Sequence, residues 1–141
     1  MEKSQQVDAE LLEAKRFHGH LGPYLVVGMK AGHFIASVLG SDPFSYRIFA
    51  TVGMKPPHSC VLDGLQVTTP CTIGNSMLQS KPLDGIIIWA EEGKQKLEFT
   101  LRESVQQHID KDTNRDNEEQ ISQEIWESGA EELFIIRQTA L

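Results

Sequence analysis

Residues 23–39, Pro-Tyr-Leu-Val-Val-Gly-Met-Lys-Ala-Gly-His-Phe-Ile-Ala-Ser-Val-Leu, put apolar side chains on nearly every face of a helix. A helix without a polar face must be surrounded by other elements, so this segment predicts a central, buried helix. Lys30 and His33 interrupt the apolar run, and it is shorter than the ~20 residues a membrane span needs. Pro23 suits the first helical turn, where its missing amide hydrogen costs nothing, and Gly40 suits the end. Gly28 and Gly32 are one turn apart and predict close approach of another backbone. His33, inside the apolar segment, reads as a core histidine.

The elements around that helix follow from local pattern. Residues 7–16 read as a short helix with Asp8 near its start. Phe17-His18-Gly19-His20-Leu21-Gly22-Pro23 reads as an irregular loop, from two glycines and a proline in seven residues. Residues 46–52 are β-branched and aromatic and read as a strand, broken by Pro56-Pro57. Residues 59–68 read as a helix with Ser59 as N-cap. The apolar run 85–90 reads as an interior strand, joined by a Glu91-Glu92-Gly93 hairpin to the alternating strand 96–101. Residues 105–117 are polar and predict an exposed loop or loose helix. A helix begins near Asn117, its cap supported by Glu119 and Gln120. Residues 133–136 predict a final strand and an apolar segment suited to an interface. The strand–helix–strand unit over 46–90 predicts a parallel pair and the hairpin an antiparallel one. The expected fold is α+β, a mixed β-sheet with helices packed on it.

A chain of 141 residues can bury a core without disulfides, and a single domain over 1–141 is expected. The net charge of −7 repels phosphate backbones, which disfavours nucleic-acid binding. The polar start Met-Glu-Lys-Ser-Gln-Gln has no apolar signal segment behind it. Together these predict a soluble, cytoplasmic protein with no membrane partner. Two cysteines make no disulfide framework, and a reducing compartment keeps them as free thiols.

Chemistry concentrates in two places. In an extended segment residues i and i+2 point the same way, so a loop makes His18 and His20 a chelating pair; on a helix they would diverge by ~200°. If residues 60–71 are helical, Cys60 and Cys71 lie ~16 Å apart, beyond the ~7 Å of a disulfide or the reach of one metal ion. Cys60 stands at the helix N-terminus, where the dipole favours a thiolate. Cys71, beside Pro70, reads as a small buried residue. Asp63, one turn after Cys60, reads as a hydrogen-bond partner that orients a ligand histidine, a proton carrier, or half of a structural salt bridge. His108, in the polar stretch, reads as solvated, and His58 as intermediate.

With Phe17-His18-Gly19-His20-Leu21-Gly22-Pro23, Cys60-Val61-Leu62-Asp63-Gly64-Leu65-Gln66-Val67 and Cys71-Thr72-Ile73-Gly74-Asn75 in view, the chain resembles the formylmethanofuran dehydrogenase E-subunit family. The resemblance is close over residues 10–101 and looser in the tail. It implies the N-terminal α+β domain of that family, often a homodimer, and a bound transition metal, usually zinc. Carried over by residue, the implied ligands are His18, His20 and Cys60. Where family members commonly have a cysteine, this chain has Gly22. It also has no C-x-x-C, so the family's C-terminal zinc-finger module is absent from these residues.

Three functions are then open. The first is a metal-binding domain with an open coordination position. Zinc suits the mixed nitrogen and sulfur set best, nickel and iron are admitted, and a small anionic or thiol ligand would fill the open position. The second is a non-enzymatic accessory or assembly subunit of a redox complex, associated with a molybdenum- or tungsten-type oxidoreductase of one-carbon metabolism. The third is metal-free thiol catalysis, with Cys60 as nucleophile and a histidine as base. Whether the chain is an enzyme is left open by its residues.

Overall fold

The computed structural model describes residues 2–140, with side chains from residue 9 onward. In chain order the elements are α1 (Glu2–His18), α2 (Pro23–Leu39), β1 (Arg47–Ala50), α3 (Cys60–Thr68), β2 (Leu78–Ser80), β3 (Ile87–Glu92), β4 (Gln95–Leu101), α4 (Glu103–Asp112), α5 (Glu118–Glu127), α6 (Ala130–Leu133) and β5 (Phe134–Ala140). The strands form one mixed sheet in the order β2-β1-β3-β4-β5, with helices against one face, so the fold is α+β as expected.

Alternation along the strands decides which face is covered. Ile48 and Ala50 of β1, Ile88 and Ala90 of β3, Leu97, Phe99 and Leu101 of β4 and Phe134 of β5 point inward and are buried. α2 lies over them, with Phe34 edge-on to Phe99 at 5.3 Å between ring centroids. Its residues Leu25, Val26, Val27, Ala31 and Ile35 are fully buried, so the central-helix expectation holds. His33 is a correction: its Nε2 lies 2.9 Å from Glu10 Oε2 on the exposed side of α2. Even this apolar helix has one edge that its neighbours leave open.

α3 packs on α2 through glycines. A Cβ on Gly28 would collide with the Val61 carbonyl and stand 3.1 Å from the Gly64 Cα; a Cβ on Gly64 would collide with the Leu25 carbonyl and stand 2.6 Å from the Met29 nitrogen. Such overlaps cannot be relieved by side-chain rotation, so both positions need glycine. The close approach expected at Gly28 is thus present, and its counterpart is Gly64.

The parallel pair is where the expected topology needs correction. β1 and β3 are antiparallel, with Ala50 opposite Ile88 and Ile48 opposite Ala90. The parallel partner of β1 is β2, the three-residue strand Leu78–Ser80, in register Ile48 to Leu78. A strand so short carries too little periodicity to stand out from its flanking turns. Its crossover, α3, lies between β1 and β2 as a parallel connection requires. The β3–β4 hairpin and the final strand hold, β5 running on to Ala140 and pairing antiparallel with β4. Residues 103–112 resolve as helix rather than loop. No side chain caps α3 at Ser59 or α5 at Asn117, contrary to expectation; Ser59 is itself in a helical conformation, so its hydroxyl is not placed to receive the first amides. No helix among the described residues is long and apolar enough to cross a membrane.

Candidate metal and ligand site

α1 runs longer than residues 7–16 and takes in Phe17 and His18, so His18 ends a helix instead of lying in a loop. Gly19 stops that helix in a left-handed conformation, φ +104°, with its amide donating to the Lys15 carbonyl at 2.7 Å. The extended His18-Gly19-His20 segment expected from the sequence is therefore not formed. The turn at Gly19 nonetheless folds His20 back, and the two imidazole centroids are 4.9 Å apart. Gly22 follows in extended conformation and Pro23 opens α2.

Asp63 of α3 faces this pair. Its Oδ2 lies 2.6 Å from His18 Nδ1, while its Oδ1 accepts from Gln66 Nε2 at 3.0 Å. A carboxylate accepts hydrogen bonds, so Nδ1 carries the proton and, in the neutral ring, Nε2 presents its lone pair. His18 Nε2 is buried and has no hydrogen-bond partner among the described residues. A second carboxylate stands beside the other ring, with Glu118 Oε1 3.4 Å from His20 Nδ1. His18, which is 11% exposed, is thereby held; His20, 53% exposed, is free to turn.

Cys60 begins α3, and with His18 and His20 it lines a cavity of about 210 Å³. The remaining wall includes Tyr24 and Leu25 at the start of α2, Pro57, and Ile109, Asp110, Thr113 and Glu118. The sequence-derived residues are therefore gathered around one cavity, Asp63 behind it. Among the described residues, however, no three His, Cys, Asp or Glu side chains already converge as a group able to hold a metal ion. Gly22 also lines the cavity, and a Cβ built there would stand 3.2 Å from His20 Cε1. A side chain at this position would thus stand against His20; glycine leaves that space open.

The thiolate expected at Cys60 is corrected. Burial, and secondarily the Asp63 charge, push its thiol above the ordinary value. The dipole gives little help because the first amides of α3 are already taken: Cys60 N donates to Pro57 O at 3.1 Å, and Val61 N to His58 O at 3.1 Å. Cys71 is a buried small residue, as read; its thiol donates to the Tyr46 carbonyl at 3.3 Å and is pushed up to about 11 by burial. Both cysteines are free.

Four polar residues of the cavity, Tyr24, Asp110, Thr113 and Glu118, were not anticipated. Tyr24 donates to Asp110 Oδ1 at 2.5 Å, and His58 Nε2 lies 3.7 Å from the same oxygen. Thr113 Oγ1 is buried without a partner among the described residues. Asp110 and Thr113 are one turn apart in a stretch whose polarity read only as solvation. Glu118 read as one more acidic residue of a helix start, and Tyr24 as one more apolar-helix aromatic. Nothing local distinguishes them; the packing of α4 and α5 against the start of α2 brings them in.

The chain resembles known proteins in three ways. A solved structure, described as a tungsten formylmethanofuran dehydrogenase E-subunit (FmdE)-like protein from Syntrophus aciditrophicus, shares its fold with a TM-score of 0.67 and 19% identity, over 96% of this chain and 72% of that one. A protein of Archaeoglobus fulgidus described as a probable S-adenosyl-L-methionine-binding protein is 36% identical over 73 residues, covering 48% of this chain and 19% of that protein. The chain thus spans about a fifth of the length of that relative. The sequence profile of a family described as "FmdE, Molybdenum formylmethanofuran dehydrogenase operon" matches residues 17–136, which include the histidine pair, Cys60, Asp63 and every residue of the cavity wall, and the chain belongs to that family.

Proposed function

We propose that this chain is a metal-binding domain in which His18, His20 and Cys60 hold a transition-metal ion, zinc most readily, with one coordination position left for a small molecule. The observation that carries the reading is His18: a carboxylate fixes Nδ1, Nε2 is buried and unpartnered among the described residues, and the residue lines a cavity together with His20 and Cys60. An orphaned imidazole nitrogen costs about 1–3 kcal/mol unless something binds it. Carboxylate-backed histidines are the usual supports of metal ligands, and His20 has a carboxylate at its Nδ1 as well. His20 is the more exposed of the two histidines and is the donor that would turn toward the ion. Bound there, the ion would supply Lewis acidity to a ligand in the open position and hold Cys60 as thiolate.

Around the ion the chain's own groups have distinct work. Asp63 keeps His18 in one tautomer, Glu118 places a carboxylate beside the mobile His20, and Leu25, Pro57 and Ile109 restrict water. Metal-free thiol catalysis is the weaker reading, because burial and the Asp63 charge raise the Cys60 thiol above its ordinary value and so disfavour the thiolate. An accessory role beside a molybdenum or tungsten formylmethanofuran dehydrogenase is compatible with metal binding and is supported by the family's description. In this reading the chain works as a cytoplasmic homodimer. The name of the archaeal relative makes S-adenosyl-L-methionine a compound to include among trial ligands.

The test is elemental analysis of untagged protein, beside His18→Ala and Cys60→Ser. About one metal ion per chain is expected in the parent protein and a clear deficit in both variants. Parent protein without stoichiometric metal, together with uptake unaltered by Cys60→Ser, would falsify the assignment.

A further inference from the structure

The hydrogen bonds behind His18 do not end at Asp63. Gln66, three residues along α3 and on the same face, donates from Nε2 to Asp63 Oδ1 at 3.0 Å, and its Oε1 accepts from the Ile73 amide at 3.0 Å. The Ile73 amide is itself fixed in the turn that follows α3. There Asn75 Oδ1 accepts from the Thr72 and Met77 amides at 3.0 and 2.9 Å, and Asn75 Nδ2 donates to the Pro70 carbonyl at 2.8 Å. The polarity of the whole chain of bonds follows from this end. A backbone amide can only donate, so the Gln66 side chain turns its oxygen to Ile73 and its NH2 group to Asp63. That donor engages Oδ1 and leaves Oδ2 to His18, 2.6 Å from Nδ1. Asp63 needs this hold. Its side chain is 34% exposed, and the terminal torsion of a carboxylate is broad, so alone it would turn between His18 and water. Gln66 is not among the cavity-lining residues and acts through Asp63. Gln66, Ile73 and Asn75 all belong to the segments 60–67 and 71–75 that carry the family resemblance, and the ligand set alone gives none of them a part.

We propose that Gln66 is a positioning residue for the His18 site. It passes the fixed orientation of the turn after α3 to the Asp63 carboxylate, and so holds His18 with its proton on Nδ1 and a lone pair on Nε2. The tautomer decides whether Nε2 can take a ligand, because a ring nitrogen that bears a proton has no lone pair for a metal ion. That the ligand is a metal ion rests on the metal reading. Control of the tautomer does not, because every link in it is a protein group.

The test separates holding the turn from holding the tautomer. In Gln66→Glu a carboxylate oxygen still accepts from the Ile73 amide, but no donor is left for Asp63 and two carboxylates face each other. In Gln66→Met both bonds are gone. The readout is the imidazole nitrogen NMR spectrum of the full chain, metal-free, at about pH 9, above the ordinary imidazole range, where the two neutral tautomers differ in their nitrogen shifts. The parent is expected to show His18 as the Nδ1–H form throughout. Both variants should show a mixture, with the ratio of Nδ1–H to Nε2–H lowered about tenfold or more, the worth of a hydrogen bond to a charged group. Zinc affinity, measured against a chromophoric chelator, should fall about 3- to 10-fold in both, less than for loss of Asp63 because Gln66 acts one bond further back. A purely structural Gln66 would leave Gln66→Glu with the parent's tautomer. That result overturns the proposal, as does an unaltered tautomer in Gln66→Met or a parent whose His18 is already a mixture. A parent that takes up no zinc removes the metal reading, and the nitrogen shifts still decide the role of Gln66.

Discussion

At the scale of single residues, Asp63 separates a metal site from ordinary packing. It spans His18 Nδ1 and Gln66 Nε2, and a purely structural bridge would look the same in the folded protein. The two roles part in their dependence on metal. Asp63→Ala is expected to lower metal affinity by about 10- to 100-fold, the usual cost of removing a carboxylate behind a ligand histidine. The melting temperature of the metal-free variant should fall only slightly, because the Asp63 side chain is 34% exposed. Competition with a chromophoric chelator measures the first quantity and a thermal melt the second. An unchanged affinity with a lowered metal-free melting temperature would reduce Asp63 to a structural bridge.

At the scale of elements, the α2–α3 contact sets where Cys60 and Asp63 stand relative to α1. Gly64→Ala drives a methyl group into the Leu25 carbonyl and the Met29 nitrogen, so α3 must move away from α2. A loss of about 3 kcal/mol is expected in chemical denaturation, the upper range for overpacking, with a disturbed site in what still folds. Ser41→Ala, at an exposed position, is a suitable neutral control. α4 is fastened differently. His108 Nδ1 lies 2.5 Å from Asp112 Oδ2 and Nε2 3.4 Å from Glu124 Oε2 of α5. These carboxylates hold its pKa above the ordinary imidazole value. A raised folded-state pKa means the stabilisation is complete below about pH 6.5 and is lost as pH climbs through the folded value. Because His108 is 44% exposed, the effect is discounted for screening to well under about 1 kcal/mol. His108→Gln should therefore melt slightly below the parent near about pH 6 and together with it near about pH 9; a gap that widens with pH would reverse the assignment.

The same elements show what was legible before folding. The buried helix announced itself because seventeen consecutive residues offered no polar face, and the hairpin because a continuous apolar run and an alternating strand flank a glycine turn. The histidine pair and Cys60 were visible as motifs, and helix geometry correctly kept Cys71 apart from them. β2 was not visible, since three residues carry almost no period. Nor were Asp110, Thr113 and Glu118: their polarity is unremarkable along the chain and becomes informative only once α4 and α5 close over the start of α2. The pKa of Cys60 was misjudged for the same reason, because burial and the turn that consumes the first amides of α3 belong to the fold and not to the sequence.

For the whole molecule, the metal reading has a thermodynamic consequence that no single variant supplies. Donors from α1, its following turn and α3 come together only in the folded chain, so an ion bound by all three favours the native state over the unfolded one. At a free metal concentration about 100 times the dissociation constant, the gain is about 2.7 kcal/mol. For a chain of this size that corresponds to a rise of roughly 5–10 °C in melting temperature. Stripping metal with a chelator should lower the melting temperature by that amount, and readdition of zinc should restore it. The decisive comparison is with His18→Ala, in which chelator and zinc should both be nearly without effect. If parent and variant respond alike, the added ion is acting through some other surface, such as the acidic side chains that give the chain its net charge of −7, and the His18 site does not hold it.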